Sequence, residues 1–265
     1  MLADLLTIIP AWHPDLIVHD VVEFGGLTAG EILKLPHVVH NLILFRYSPD
    51  LLDFLVHREY AAFRDRHGLP PDPGYDEYFR YLYLQHVPES IAPLPASIAA
   101  RSQLIRPAFP EAQAGALPAW MQRLPELPSV YVTLGTVYNH TPGLLEGILA
   151  ALGDGQYNVI VTVGADRDPA ELGSQRSCIH VERYLPQAAI LPHCDLMVCH
   201  GGTGTLLGAL AEGLPMLIIP LDGDHYHAAF RWQHDLRPAD RRFLFSPRRY
   251  SASARRKHLM GKSLL

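Results

Sequence analysis

Leu196-Met197-Val198-Cys199-His200-Gly201-Gly202-Thr203-Gly204-Thr205-Leu206-Leu207 runs from a short continuous apolar stretch, through a glycine-rich turn, into a helical pattern. A helix is predicted over 205–212, with Leu206, Leu207 and Leu210 on one face, Gly213 as its stop and Pro215 beyond. Further apolar runs lie at 130–134, 159–163, 178–181 and 216–219, separated by helix-like stretches or short turns. Continuous rather than alternating apolar runs suit strands buried on both faces, so an α/β architecture with a parallel sheet covered by helices is expected. Ligands in such sheets bind beyond the carboxyl ends of the strands. Those ends carry Gly135-Thr136, Gly164 and the stretch from His200 to Thr205.

The front of the chain repeats the pattern less clearly. An apolar run at 15–20 is followed by Gly25-Gly26, a helix-compatible segment to Leu35 and a second apolar run at 37–44. Aromatic-rich stretches at 51–63 and 75–84 read as helices packed on a sheet, parted by the Gly- and Pro-rich loop 68–74. Residues 87–128 hold eight prolines and little periodicity, which predicts an extended crossover. The expected organisation is therefore two domains, 1–123 and 124–265.

Length and composition set the outer limits. The 265 residues are 48% hydrophobic and 18% charged with a formal net charge of -5, which excludes disordered, collagen-like and coiled-coil classes. Three cysteines, Cys178, Cys194 and Cys199, are too few and odd in number for a disulfide scaffold, and point to a reducing, cytoplasmic compartment. The first twelve residues lack the basic segment of a signal peptide, and no apolar run approaches the ~18 residues of a membrane span. Charge is uneven: residues 237–265 hold nine basic groups and one acid, net +8, against 13 basic and 26 acidic before them, net -13. A solvated terminus explains such a tail better than a nucleic-acid partner.

In the glycine-rich turn, the N–H groups of Thr203, Gly204 and Thr205 at a helix N-terminus would hold a phosphate, with hydroxyls from Thr203 and Thr205 and the imidazole of His200 beside them. The same spacing also serves a tight structural turn. A dinucleotide reading takes Gly202, Gly204 and Gly208 as a loosened fingerprint with Asp222 on a ribose, as in a NAD-dependent oxidoreductase. Against it, the third glycine comes one residue late and little chain follows. Asp222, Asp224, His225 and His227 form a mixed run, and Cys194, Cys199 and His200 only mimic ligand spacing, so no metal is expected.

Tyr184-Leu185-Pro186-Gln187-Ala188-Ala189-Ile190-Leu191, His193, the stretch from His200 to Thr205, Gly213-Leu214-Pro215, Pro220 and Asp224 occur in the order and spacing of a known signature. They resemble the donor-binding segment of the family 1 nucleotide-sugar-dependent glycosyltransferases, especially the bacterial macrolide and secondary-metabolite type. Val130-Tyr131-Val132-Thr133-Leu134-Gly135-Thr136 resembles the strand and loop that open the donor domain. The resemblance implies the GT-B fold, two Rossmann-like halves with the donor in the C-terminal half, and a soluble enzyme transferring a hexose with inversion to a small hydroxylated acceptor without a cofactor.

Roles follow by position. The resemblance implies that Tyr184 stacks on the base, Gln187 lies in the base and ribose segment, and His200 with Gly202, Thr203, Gly204 and Thr205 holds the diphosphate. Gly135 and Thr136 would face it, and Asp224 with His225 would meet the sugar. Asp20 resembles the aspartate that orients the catalytic histidine, though a strand-end capping role fits it equally. By the same resemblance the N-terminal half is expected to be incomplete, lacking the segment with the base histidine, and the basic tail from about 237 is atypical. A non-catalytic nucleotide-sugar binding protein is the expected alternative.

Overall fold

The computed structural model describes residues 1–41, 49–87, 94, 96–108, 117–136, 141–221, 225–226 and 228–229, with side chains withheld at 49–57 and 96–97. Two compact units divide the chain, Met1–Pro107 and Ala108–Leu265. The expected boundary at 123/124 falls later than this division, because Trp120 belongs with the second unit: its ring stacks on His180 at 4.0 Å and its Nε1–H donates to Glu182 Oε1 at 2.8 Å.

In the first unit the elements run α1 Leu2–Trp12, β1 Ile17–Asp20, α2 Phe24–Leu33, β2 His37–Asn41, α3 Pro49–Arg66, β3 Leu82–Gln85, α4 Ala96–Ala99 and β4 Ser102–Leu104. The strands pair in parallel in the order β1-β2-β3-β4. Gly25-Gly26 opens α2 because Glu23 caps it: the Glu23 carboxylate accepts from both glycine N–H groups, and a Cβ at Gly26 would come within 2.6 Å of that carboxylate. The expected strand, helix, strand order at the front is present.

Two expectations for this unit are corrected. The aromatic stretch 75–84 is not a helix: a 3-10 turn Asp76–Phe79 leads directly into β3. Its aromatics fill the core instead, where Tyr60, Tyr75, Tyr78, Phe79 and Tyr83 pack together with Val39. Nor is 87–128 a featureless crossover, since β4 adds a fourth strand beside β3, with Tyr83 opposite Ser102. Ser102-Gln103-Leu104 carries almost no apolar signal, because an edge strand this short buries little. Leu42, Ile43 and Leu44 of the second predicted run, and the tail from about 237, lie outside the described residues.

The second unit runs β5 Ser129–Thr133, α5 Leu144–Leu152, β6 Asn158–Thr162, β7 Ile179–Glu182, α6 Gln187–Ile190, β8 Leu196–Cys199, α7 Thr203–Ala211 and β9 Met216–Ile218. Its parallel sheet has the order β7-β6-β5-β8-β9. Each of the five predicted apolar runs is a strand to within a residue or two. Val130, Val132, Val159, Val161 and Val198 form a core with Leu145 and Leu149 of α5. Asp195 fastens β8 to β5, its carboxylate accepting from Ser129 N–H at 2.9 Å while its own N–H donates to Ser129 O at 2.8 Å. All three cysteines are buried and none of them is in a disulfide. Among the described residues no helix is long and apolar enough to cross a membrane.

Two buried polar networks fix the first unit. Arg64 donates to both carboxylate oxygens of Glu31, at 2.7 and 2.9 Å, and to Pro70 O at 2.8 Å. Removing the guanidinium leaves a carboxylate without its counterion, so Arg64→Leu is expected to cost about 3–5 kcal/mol in urea unfolding. His19 meets His37 at 3.2 Å, and His37 meets Glu77 at 3.4 Å. Burial holds the His19 imidazole below its ordinary pKa of 6.5, with His37 pushing the same way and the backbone oxygen of Asp20 opposing. A base whose pKa falls on folding binds fewer protons than the unfolded chain once the pH drops below 6.5, so stability falls with acid from that point. Thermal melts should therefore move to lower temperature between about pH 7.5 and about pH 5.5, and His19→Leu should flatten that slope.

Candidate functional site

β5 is the strand at which the second sheet reverses direction: β6 and β7 extend to one side of it, β8 and β9 to the other. The chain segments leaving β5 and β8 therefore part from each other, and a crevice opens between them at the carboxyl ends. Thr133 lies opposite Cys199 in register, so Leu134-Gly135-Thr136 and His200-Gly201-Gly202 emerge side by side. The structure thus brings Gly135, Thr136, His200 and Gly202 together.

Close packing against the imidazole of His200 explains the glycines. Gly135 has φ +79, and a Cβ there would come within 2.6 Å of His200 Cε1 and Nε2. A Cβ at Gly202 would collide with the same Nε2. Gly201 has φ +97, a left-handed backbone that turns the chain from β8 into α7, and a Cβ on it would lie 2.9 Å from Ile218 Cγ2. His200 itself is 7% exposed, its ring set edge-to-face against His225 with centroids 4.6 Å apart and planes at 88°.

α7 begins at Thr203, two residues before its predicted start, with Gly202 as N-cap in extended conformation. Gly202 has no side chain with which to cap this end. The first intrahelical bond runs from Leu206 N–H to Gly202 O at 3.0 Å, so the N–H groups of Thr203, Gly204 and Thr205 precede the helical ladder. A Cβ at Gly204 would meet nothing within 4 Å, so there is room beside the first turn of α7. Gly208, the third glycine of the dinucleotide alternative, lies on the buried face of α7, where a Cβ would touch Leu191 Cδ1 at 3.4 Å.

Other expected residues spread around this crevice. Tyr184, just beyond β7, is 72% exposed, an accessible aromatic ring. Gln187 opens α6 and is half-buried, hydrogen-bonded to the Tyr131 phenol, which also meets Thr162 Oγ1 at 2.8 Å. Burial pushes the Tyr131 phenol up, so it remains a neutral hydrogen-bonding group beneath the site. Burial likewise pushes the Cys199 thiol up to about 11, so it stays protonated and is a poor nucleophile at neutral pH. Among the described residues no three His, Cys, Asp or Glu side chains could hold a metal ion together. Asp222, Asp224 and His227 lie outside the described residues.

Asp20 sits in the first unit at the end of β1, where its carboxylate accepts from Val22 N–H at 2.9 Å and closes a turn. His19 points to the opposite, buried face. Two features went unread in the sequence. The role of Gly201 depends on its backbone angle, for which the doubled glycine was the available signal. The His200–His225 pairing joins residues separated by α7 and β9, and nothing in the spacing marks it.

Residues 146–234 match the family described as "Erythromycin biosynthesis protein CIII-like, C-terminal domain". Demethyllactenocin mycarosyltransferase of Streptomyces fradiae is 36% identical over 101 residues, covering 38% of this chain and 22% of that protein. 10-deoxymethynolide desosaminyltransferase of Streptomyces venezuelae is 26% identical over 239 residues, 83% of this chain and 54% of that protein. The chain thus spans about half the length of this second relative and a smaller part of the first. Among solved structures, spinosyn rhamnosyltransferase SpnG complexed with thymidine diphosphate superposes with a TM-score of 0.68 at 26% identity, over 88% of this chain and 60% of that one.

The glycine contacts give a direct test of the site's packing. Gly135→Ala combines a left-handed φ with a collision on His200, and is expected to cost about 1–3 kcal/mol in urea unfolding. Gly204→Ala, in open space, should change stability by less than about 1 kcal/mol.

Proposed function

We propose that this chain, which is related to the family 1 nucleotide-sugar-dependent glycosyltransferases and carries part of a GT-B fold, binds a nucleoside-diphosphate sugar in its second unit and serves hexose transfer to a small-molecule hydroxyl. The observation that carries this reading is the glycine-capped N-terminus of α7, set at the reversal point of the sheet beside His200 and the Gly135 loop. Amides and helix dipole there favour a diphosphate, and favour it more as negative charge grows on it.

In the proposed reaction an acceptor hydroxyl attacks the anomeric carbon, the carbon–oxygen bond to the diphosphate breaks, and the bonding pair leaves with the nucleoside diphosphate. The configuration at that carbon inverts. Thr203, Gly204 and Thr205 stabilise the departing charge through N–H and hydroxyl donors fixed in advance, which is where such donors act most strongly. This chemistry calls on no metal ion and no cofactor. Tyr184 supplies an aromatic face for the nucleotide base, Thr136 a hydroxyl opposite α7, and Asp224 the contact to sugar hydroxyls. Asp20 is placed by resemblance as the aspartate that orients the base on the acceptor side, and the histidine base that would take the acceptor's proton belongs to the segment expected to be missing from this chain. Three buried thiols suit the reducing cytoplasm.

Calorimetric titration with UDP, TDP, UDP-glucose and NAD tests the donor reading. A nucleoside diphosphate should bind and NAD should not, and EDTA should leave the affinity unchanged. His200→Ala is expected to weaken diphosphate binding by about tenfold or more, the worth of one hydrogen bond to a charged group. Asp224→Ala should weaken UDP-glucose more than UDP; equal losses would remove Asp224 from the sugar contact. Binding of NAD alone would overturn the reading.

A further inference from the structure

We infer that His225 is a positioning residue, whose buried ring holds the His200 imidazole in the orientation that meets a nucleoside diphosphate. The inference rests on the donor reading above for what His200 meets, and on geometry for the rest. His225 is 3% exposed, so its ring has almost no surface to offer a ligand and its effect passes through what it touches. Its ring packs on that of His200, edge-to-face at 4.6 Å and 88°, an arrangement in which the positive edge of one ring faces the negative face of the other. Gly201, the left-handed residue between strand and helix, lies against it: a Cβ there would be in ordinary contact, at 3.5 Å, with both the Cβ and the backbone oxygen of His225.

His200 is thereby enclosed on three sides. Gly135 and Gly202 approach its ring so closely that neither position admits a Cβ without displacing it, and His225 closes a third side. An imidazole held this way meets an incoming phosphate without first surrendering rotational freedom, so its hydrogen bond is worth more than that of a mobile ring. Taking away the His225 ring opens one wall and returns that freedom to His200, while the amides of α7 stay in place. Position 225 therefore acts on the diphosphate, at one remove, and not on the sugar.

The test uses the full chain, with UDP and TDP as probes, in His225→Ala, His225→Phe, His200→Ala and the His200→Ala/His225→Ala double variant. His225→Ala should bind the diphosphate about tenfold more weakly than wild type, and His225→Phe, which keeps a ring edge in place, within about twofold. In the His200→Ala background the second substitution should cost nothing further, because the wall has no ring left to hold. Unchanged affinity in His225→Ala, or an equal loss with and without His200, would overturn the inference. Should His225→Ala fail to fold, His225→Gln, of similar size but without a ring, takes its place. Histidine-selective NMR reads positioning without any ligand. The His200 ring signal should be sharp in wild type and His225→Phe and broadened or doubled in His225→Ala, and an equally sharp signal in all three would overturn the inference. If the wild type binds neither diphosphate, the donor reading fails by itself while the ring signals still decide the role of His225.

Discussion

An α-helix cannot bond the N–H groups of its own first turn, and at α7 the N-cap is Gly202, which has no side chain to do so. Much of the second unit follows from where that end is placed. It sits beyond β8, beside the exit of β5, at the point where the strand order reverses and a parallel sheet leaves a crevice. The helix end and the buried His200 meet there, with room for a Cβ beside the first turn at Gly204.

Holding that arrangement is a packing problem. His200 can be buried beside α7 only because Gly135 and Gly202 have no Cβ and because Gly201 takes a left-handed φ. Strand ends are fastened from below, where Asp195 ties β8 to β5 and Asn158 donates to Pro125 O and Leu127 O as the chain enters the sheet. The first unit is fastened differently, by the Arg64–Glu31 pair, the His19–His37–Glu77 series and a stack of tyrosines. One unit thus relies on apolar strands and backbone geometry, the other on buried polar groups.

Legibility of the sequence tracks that contrast. In the second unit each strand is a run such as Val159-Ile160-Val161, buried on both faces, so hydrophobicity alone locates it. The crevice was legible too, since glycines after two neighbouring strands mark where a backbone must come close to something. The first unit was harder because its aromatics occur in a turn and a strand with nearly helical spacing, and because Ser102-Gln103-Leu104 is held by its neighbour and not by its own composition. His225 was read as a sugar contact from its position in a motif. Its packing on His200 depends on the turn at Gly201 and on Ile218 beside it, which no linear pattern encodes.

Val130 of β5 pairs with Leu196 of β8, while its other neighbour, Val159 of β6, lies far closer along the chain. A parallel pairing forms only after the loop between its strands has closed, and longer loops close at greater entropic cost. On a chain emerging from the ribosome, β5 and β6 can pair while β8 and α7 are still unmade. The turn between β8 and α7 is therefore made after the β5–β6 pair, and a chain arrested before residue 196 would hold β5, β6 and β7 with one flank of β5 open.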